Sequence, residues 1–141
     1  MITNDISQVN SEEDPLVQYY IIRKDINMSI GKVCAQVAHA SQIFMANYQD
    51  MVEDGFELYS DSSFYDEYND TIKWLNTGFR KVMLGGKLKD FEKIKKELFV
   101  FVVRDAGLTE VESGTETVLA TYPIRKSLQP KILSRLQLYG H

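Results

Sequence analysis

Cysteine is nearly missing from this chain: Cys34 is the only one in 141 residues, so no intrachain disulfide can form and nothing points to an oxidising compartment. Cys34 reads as a small apolar filler. Histidine is almost as scarce, and His39 and His141 lie too far apart for any ligand spacing, which argues against a structural zinc site. No apolar run approaches the length of a membrane span, and the first sixteen residues carry Asp5, Glu12, Glu13 and Asp14 where a signal peptide would need an apolar stretch. The expectation is a soluble protein of the cytoplasm that makes no use of a membrane. Lysine and arginine are absent from residues 1–16 and 50–70, which hold four and eight acids respectively. The formal charge of -4 therefore hides a basic body, because the remaining sequence sets all sixteen basic residues against eight acids. Such a body can bind a polyanion through its local field.

What is present reads as one domain. The hydrophobic share of 44% is that of a globular chain, and 141 residues suffice for one core but not for two ordinary ones. Residues 1–16 are expected to be a flexible acidic tail and residues 17–141 the folded domain. Val17–Arg23 is a near-continuous apolar strand, hence one buried on both faces. Ser29 is placed to cap a helix running to about Tyr48, with Ile30, Val33, Cys34, Val37, Ala38, Ser41, Phe44, Met45 and Tyr48 toward the sheet. Lys32, Gln36, His39 and Ile43 fall on a different stripe. The acidic, tyrosine-rich residues 50–70 read as a short helix plus loop, or a lid, followed by a helical piece from Thr71 to Asn76. Val82–Leu84 is a second strand ending at Gly85 and Gly86, whose spacing fits no phosphate-binding loop. An amphipathic helix follows through Leu88, Phe91, Ile94 and Leu98. Phe99–Val103 and Thr117–Thr121 are two further strands, and Gln129-Pro130 opens a C-terminal helix with Ile132, Leu133 and Leu136 inward. Helices between the strands predict a three-layer α/β/α sandwich on a mixed, mostly parallel four-stranded sheet.

The stretch Asp105-Ala106-Gly107 begins where the third strand ends, a usual position for a site in an open α/β sheet. Asp105 has an ordinary alternative as the carboxylate of an Asx-type turn with Gly107. Lys32, in the first helical turn, is placed to hold an anion, or is simply a solvated lysine. A serine–histidine–acid triad would have to recruit His39, and no strand–Gly-x-Ser-x-Gly–helix signal accompanies it.

Three blocks in order carry a resemblance: Arg23-Lys24-Asp25-Ile26-Asn27-Met28 with Gly31-Lys32-Val33-Cys34-Ala35-Gln36-Val37-Ala38-His39-Ala40, then Lys81-Val82-Met83-Leu84, then Asp105-Ala106-Gly107 through Gly114-Thr115-Glu116-Thr117-Val118-Leu119-Ala120. From about Val17 to Pro123 the chain resembles the type II peptidyl-tRNA hydrolase family. The resemblance implies the same sandwich fold and hydrolysis of the ester between peptide and tRNA, without metal or organic cofactor. It also implies catalytic roles for Lys32, Asp105, Thr109 and Thr117: Asp105 as general base or water-orienting carboxylate, Lys32 as supporting cation, and the threonines as hydroxyl partners. Arg23, Lys24, Gln36, His39 and Arg104 are expected to bind the peptidyl-tRNA substrate, and a homodimer is left open. Leu108, Glu110 and Ser113 depart from the family pattern, which often has Arg, Gln and Pro there. The first two changes make the loop less welcoming to phosphate. The alternative function is a catalytically inactive module of the same fold that binds tRNA or a protein partner; an unrelated α/β esterase lacks a nucleophile motif.

Overall fold

The computed structural model describes residues 13–53, 62–107 and 110–141. Of the tail expected at residues 1–16, residues 1–12 lie outside the described residues. The Asp14 carboxylate accepts from the Ser127 backbone N–H at 2.8 Å and from the Ser127 hydroxyl at 2.7 Å.

Strand β1 (Leu16–Arg23) is buried along its whole length and is the axis of the fold. Its side chains alternate between two cores, as a strand covered on both faces requires. Leu16, Tyr20 and Ile22 join Ala40, Phe44, Trp74 and Leu75, whereas Val17, Tyr19 and Ile21 join Leu84, Phe91, Ile94 and Leu133. Helix α1 (Ile30–Glu53) and helix α2 (Ser62–Leu75) supply the first core. Phe44 anchors it with edge-on contacts to Trp74, Phe101 and Tyr122; truncating such a buried phenylalanine to alanine costs about 3–5 kcal/mol. Strand β2 (Lys81–Gly86) leads to helix α3 (Leu88–Glu97), which buries Phe91 and Ile94 in the second core. Asp90 caps that helix by accepting from the Lys87 N–H at 2.8 Å. Strands β3 (Phe101–Arg104) and β4 (Glu116–Ala120) follow, then the two-residue strand β5 (Ile124–Arg125), a 3-10 turn at Lys126–Leu128, and helix α4 (Lys131–Ser134).

The sheet is mixed, with order β2-β1-β4-β3 and β5 pairing with the start of β1. Among the described residues it has five strands rather than four, and the expectation that it is mostly parallel fails. Only β1 and β2 pair in parallel; β1–β4, β3–β4 and β1–β5 are antiparallel. The helical crossovers do leave β1, β2 and β3 running the same way, but β4 returns between β1 and β3 and replaces a parallel pairing with two antiparallel ones. In consequence the ends of β1 and β3 and the start of β4 meet at one edge.

Local readings also shift. Residues 50–70 are divided between the end of α1 and the start of α2, with 54–61 outside the described residues. Helix α1 turns its Gln36, Ala40, Phe44 and Met51 stripe inward, leaving Cys34 and Ala38 exposed and Ile30 85% exposed. Cys34 is therefore no core filler; Ala40 lets the helix lie close to the sheet, and Gln36 has polar partners there. Gly85 and Gly86 are paired strand residues opposite Ile22 and Arg23, so β2 runs on through the glycines at which it was expected to end. At Gly86 a Cβ would stand 2.7 Å from Ile21 Cγ2, so the strand pair admits no side chain there. Phe99, expected inside β3, is 62% exposed and stacks on Tyr122. Helix α4 is a single turn, after which the Gly85 N–H donates to the Gln137 carbonyl and the Tyr139 N–H to the Met83 carbonyl, closing the outer edge of β2.

Candidate active site

At the edge where β1 and β3 end, α1 begins. Ser29 caps it, its hydroxyl accepting from the Lys32 N–H at 3.2 Å. Lys32 therefore sits in the first turn and Gln36 one turn further, both facing the end of β3. Lys32 Nζ lies 2.5 Å from Asp105 Oδ1, with the lysine side chain 10% and the aspartate side chain 5% exposed. Gln36 Nε2 donates to the same oxygen at 3.3 Å. The Thr117 hydroxyl donates to Gln36 Oε1, which orients the amide so that its NH2 faces Asp105. A line of contacts thus runs from Thr117 through Gln36 to Asp105 and Lys32.

Thr117 reaches Gln36 because of an irregularity in the ladder. Val103 pairs with Val118, but Arg104 pairs with Glu116, so β4 carries one extra residue at Thr117. Strict alternation would send Thr117 to the α3 face; a bulge re-aims its side chain to the α1 face beside Val118. Asp105 is held as firmly. Its backbone N–H donates to the Thr115 carbonyl, its carbonyl accepts from Gly114, and Oδ2 accepts from the Gly107 N–H at 2.7 Å. The Asx-type turn is real and coexists with the ion pair: Oδ2 serves the turn and Oδ1 serves Lys32. Gly107 has φ +78, and a Cβ there would stand 2.5 Å from the Ser113 nitrogen. The Lys32 ammonium holds the Asp105 carboxyl below the usual carboxylate range, against burial that would raise it; the Gly107 N–H helps.

These groups open into a cleft of about 620 Å³ lined by Lys32, Gln36, His39, Arg104, Asp105 and Glu110 among others. Of the residues predicted for the site, Lys32, Gln36, Asp105 and Thr117 converge directly, and His39 and Arg104 line the same cleft. Thr109 lies outside the described residues, as does Leu108. Arg23 is 6% exposed and turned to the other face: its Nε lies 2.6 Å from Asp25 Oδ1, its Nη1 donates to the Glu116 carbonyl, and it covers the Phe91 ring. Asp25 had no role in the sequence reading, although an acid two residues beyond a strand-end arginine is a signal for such a pair. Lys24 lines a different cleft with Gly85 and Tyr139. Among the described residues no group of three or more His, Cys, Asp or Glu side chains is placed to hold a metal ion.

A family model described as "Peptidyl-tRNA hydrolase PTH2" matches residues 16–139, from the first residue of β1 to the segment that closes β2. The chain belongs to this family. A protein of Methanopyrus kandleri named peptidyl-tRNA hydrolase is 34% identical over 129 residues, which is 86% of this chain and 96% of that protein. One of Staphylothermus marinus with the same name is 36% identical over 112 residues, 75% of this chain and 80% of its own. A third, from Sulfurisphaera tokodaii, is 32% identical over 124 residues, 84% and 93% of the two chains. Every described element that builds the Lys32–Asp105 cleft falls inside the matched span of the family.

Proposed function

We propose that this chain hydrolyses the ester joining the carboxyl end of a peptide to the ribose of the terminal nucleotide of tRNA, releasing free tRNA. The observation that carries the reading is the Lys32–Asp105 ion pair, braced by Gln36 and Thr117 and open to a solvent cleft. Family membership and the names of the relatives support the same substrate.

Hydrolysis adds a water oxygen to the carbonyl carbon, breaks its bond to the ribose oxygen and returns a proton to that oxygen. Asp105, held ionised and weakly basic by Lys32, suits the orientation and polarisation of the attacking water better than outright proton removal. Lys32 and the Gln36 amide present N–H donors beside Asp105 Oδ1, where negative charge develops as the carbonyl is attacked. Thr117 is wholly buried and acts through Gln36, so its reach to substrate is indirect. Thr109 completes the set as a second hydroxyl partner. His39 and Arg104 are read as contacts for the acceptor end of the tRNA, and Lys24 as a more distant phosphate contact. Arg23 serves by fixing the strand end. No step requires a metal or organic cofactor.

The two cores on opposite faces of β1 support a three-layer α/β/α sandwich, and the bonds of Asp14 to Ser127 support a folded domain that includes residues just before Val17. Among the described residues no helix is long and apolar enough to cross a membrane, and the activity is assigned to the cytoplasm, where peptidyl-tRNA arises.

The test is release of free tRNA from a peptidyl-tRNA by the purified chain, followed across a salt series. Turnover with KM rising steeply as salt increases is expected, because bound phosphates release counterions. Salt-sensitive tRNA binding without turnover would sink the enzyme reading in favour of a binding module.

A further inference from the structure

Glu110 lies outside the residues assigned above, yet its carboxylate reaches the start of α1. One oxygen accepts from the Ser29 backbone N–H at 2.8 Å and the other from the Ser29 hydroxyl at 2.6 Å. In an ordinary capping box the N-cap serine binds the backbone N–H three residues on, and an acid at that third position reaches back to the serine N–H. The first half is present here, from Ser29 to the Lys32 N–H. The second half cannot come from the third position, because Lys32 occupies it and its side chain is engaged by Asp105. Glu110, 81 residues further along, supplies the missing acid. The capping box is thus divided between the helix that carries Lys32 and the loop that starts at Asp105.

We propose that Glu110 is a positioning residue for the hydrolysis: its carboxylate clamps the Asp105 loop onto the first turn of α1 and so fixes Asp105 against Lys32. The proposal rests on the functional reading above for its catalytic half, while the clamp itself can be observed without it. Residues 106, 107, 110, 112 and 113 of the loop are exposed, so little apolar burial restrains it. Asp105 is tied at its root by the β4 ladder, and Glu110 ties the far side. Other charged groups share the cleft: Lys32 from α1, Asp105 from the end of β3, and Arg104 and His39 along the lining. The hydrogen bonds from Ser29 hold the Glu110 carboxyl below its ordinary range, with Lys32 adding to the effect. The carboxylate is therefore ionised throughout the neutral range, the form that accepts both hydrogen bonds from Ser29. Its charge also adds a second carboxylate beside Lys32, which disfavours substrate phosphate. Glutamine at this position would keep a hydrogen-bond acceptor and discard the charge, so the two effects can be separated.

The experiment compares wild type, Glu110→Ala and Glu110→Gln by steady-state hydrolysis of peptidyl-tRNA and by amide hydrogen exchange. Glu110→Ala should lower kcat about tenfold, since a small misplacement of reacting groups is costly, with KM changed less than about twofold. Exchange at the Ser29 and Lys32 amides should quicken about fivefold, the scale of a lost cap. Glu110→Gln should recover kcat to within roughly threefold of wild type and lower KM, as a negative charge leaves the path of phosphate. Unchanged exchange in Glu110→Ala removes the clamp. Wild-type kcat alongside faster exchange, or equal losses in the alanine and glutamine variants, removes the positioning role. A wild type inert toward peptidyl-tRNA overturns the functional reading and the catalytic half together, while exchange still decides whether the clamp exists.

Discussion

Two lysine–carboxylate pairs hang on the β3–β4 hairpin, almost side by side along the chain but on opposite faces of the sheet. On the α1 face, Asp105 meets Lys32 with both side chains at or below 10% exposure, and every oxygen of the carboxylate is engaged. On the α3 face, Glu116 meets Lys95 at 2.7 Å and, from the rim of the cleft, Arg104 at 3.1 Å, with the two cations 33% and 59% exposed and the carboxylate 14%. The charges are alike and the distances comparable, yet water reaches one set and hardly reaches the other. An exposed pair is screened and contributes little, whereas a mostly buried one acts at close to full strength on whatever shares its cleft. The bulge at Thr117 creates this division, because it sends Thr117 to the first face and leaves Glu116 on the second.

The comparison breaks most sharply at Asp105. Asp105→Asn keeps the shape and the Gly107 turn but removes the charge beside Lys32 to which the proposed mechanism gives the orientation of water. We expect kcat to fall by a factor of about 10²–10⁴, the usual worth of a positioned acid–base group, with the fold retained by circular dichroism. Lys32→Met should fall by about 10²–10³ for loss of the charge-stabilising donor. Near-normal turnover in either variant would reduce the buried pair to a structural lock, no different in kind from the exposed one.

A smaller effect tests the bulge. Thr117→Val preserves shape and burial but deletes the hydroxyl that orients Gln36. A loss of about tenfold in kcat is expected, on the scale of one mispositioned donor. Gln36→Leu should lose at least as much, and the double variant should lose no more than the worse single one, because both act through one chain of contacts. Additive losses would mean that Thr117 touches substrate independently.

Much of this site was legible because it depends on local signals. Ser29 before an apolar-periodic run marks the start of α1 and therefore puts Lys32 in its first turn. Asp105-Ala106-Gly107 after an apolar run marks a strand end followed by a turn. Helical crossovers imply that β1 and β3 run the same way, which brings those two positions to one edge. What escaped depends on non-local pairing. Nothing in Thr117–Thr121 says that this strand inserts between β1 and β3, and nothing in Glu116-Thr117 marks the bulge, since threonine suits any strand. Arg23 looked like a substrate contact because it ends a strand; only the fold shows that Asp25 and the Glu116 carbonyl draw it inward. On the expected inward stripe of α1, Val33, Val37, Phe44, Met45 and Tyr48 do pack on the first core, while Ile30, Cys34 and Ala38 do not. Gln36 was left off it because glutamine counts as polar on any hydropathy scale, although two buried polar partners await it.

Acid should also separate the two faces. Asp105 is held below its ordinary range in the folded chain, so it binds protons more weakly folded than unfolded. Its contribution to stability is complete above the unfolded value of roughly 3.9 and is lost as pH falls through the lower folded value. Activity should accordingly show no inflection from Asp105 between pH 5 and 8. In Lys32→Met the carboxyl loses the cation that depresses it, and the acid limb of residual activity should move to higher pH. An acid limb that stays in place would show that Lys32 does not set the charge state of Asp105.

The least effect belongs to the exposed pair, and its smallness is the point. Glu116→Gln retains a hydrogen-bonding side chain on β4 and leaves the backbone carbonyl that receives Arg23 untouched. Lys95 and Arg104 lose a partner but keep water, so stability should drop by no more than about 0.2–1 kcal/mol, the range of surface pairs. Raising the salt concentration should shrink even that difference. kcat should stay within about twofold of wild type, because Glu116 faces α3 while Thr117, one residue on, faces Gln36 on the α1 side. Thermal unfolding at low and high salt, beside a hydrolysis assay, measures both. Should Glu116→Gln impair turnover as much as Thr117→Val, the bulge would not isolate the two faces, and the charge on the α3 side would have to be counted as part of the active site.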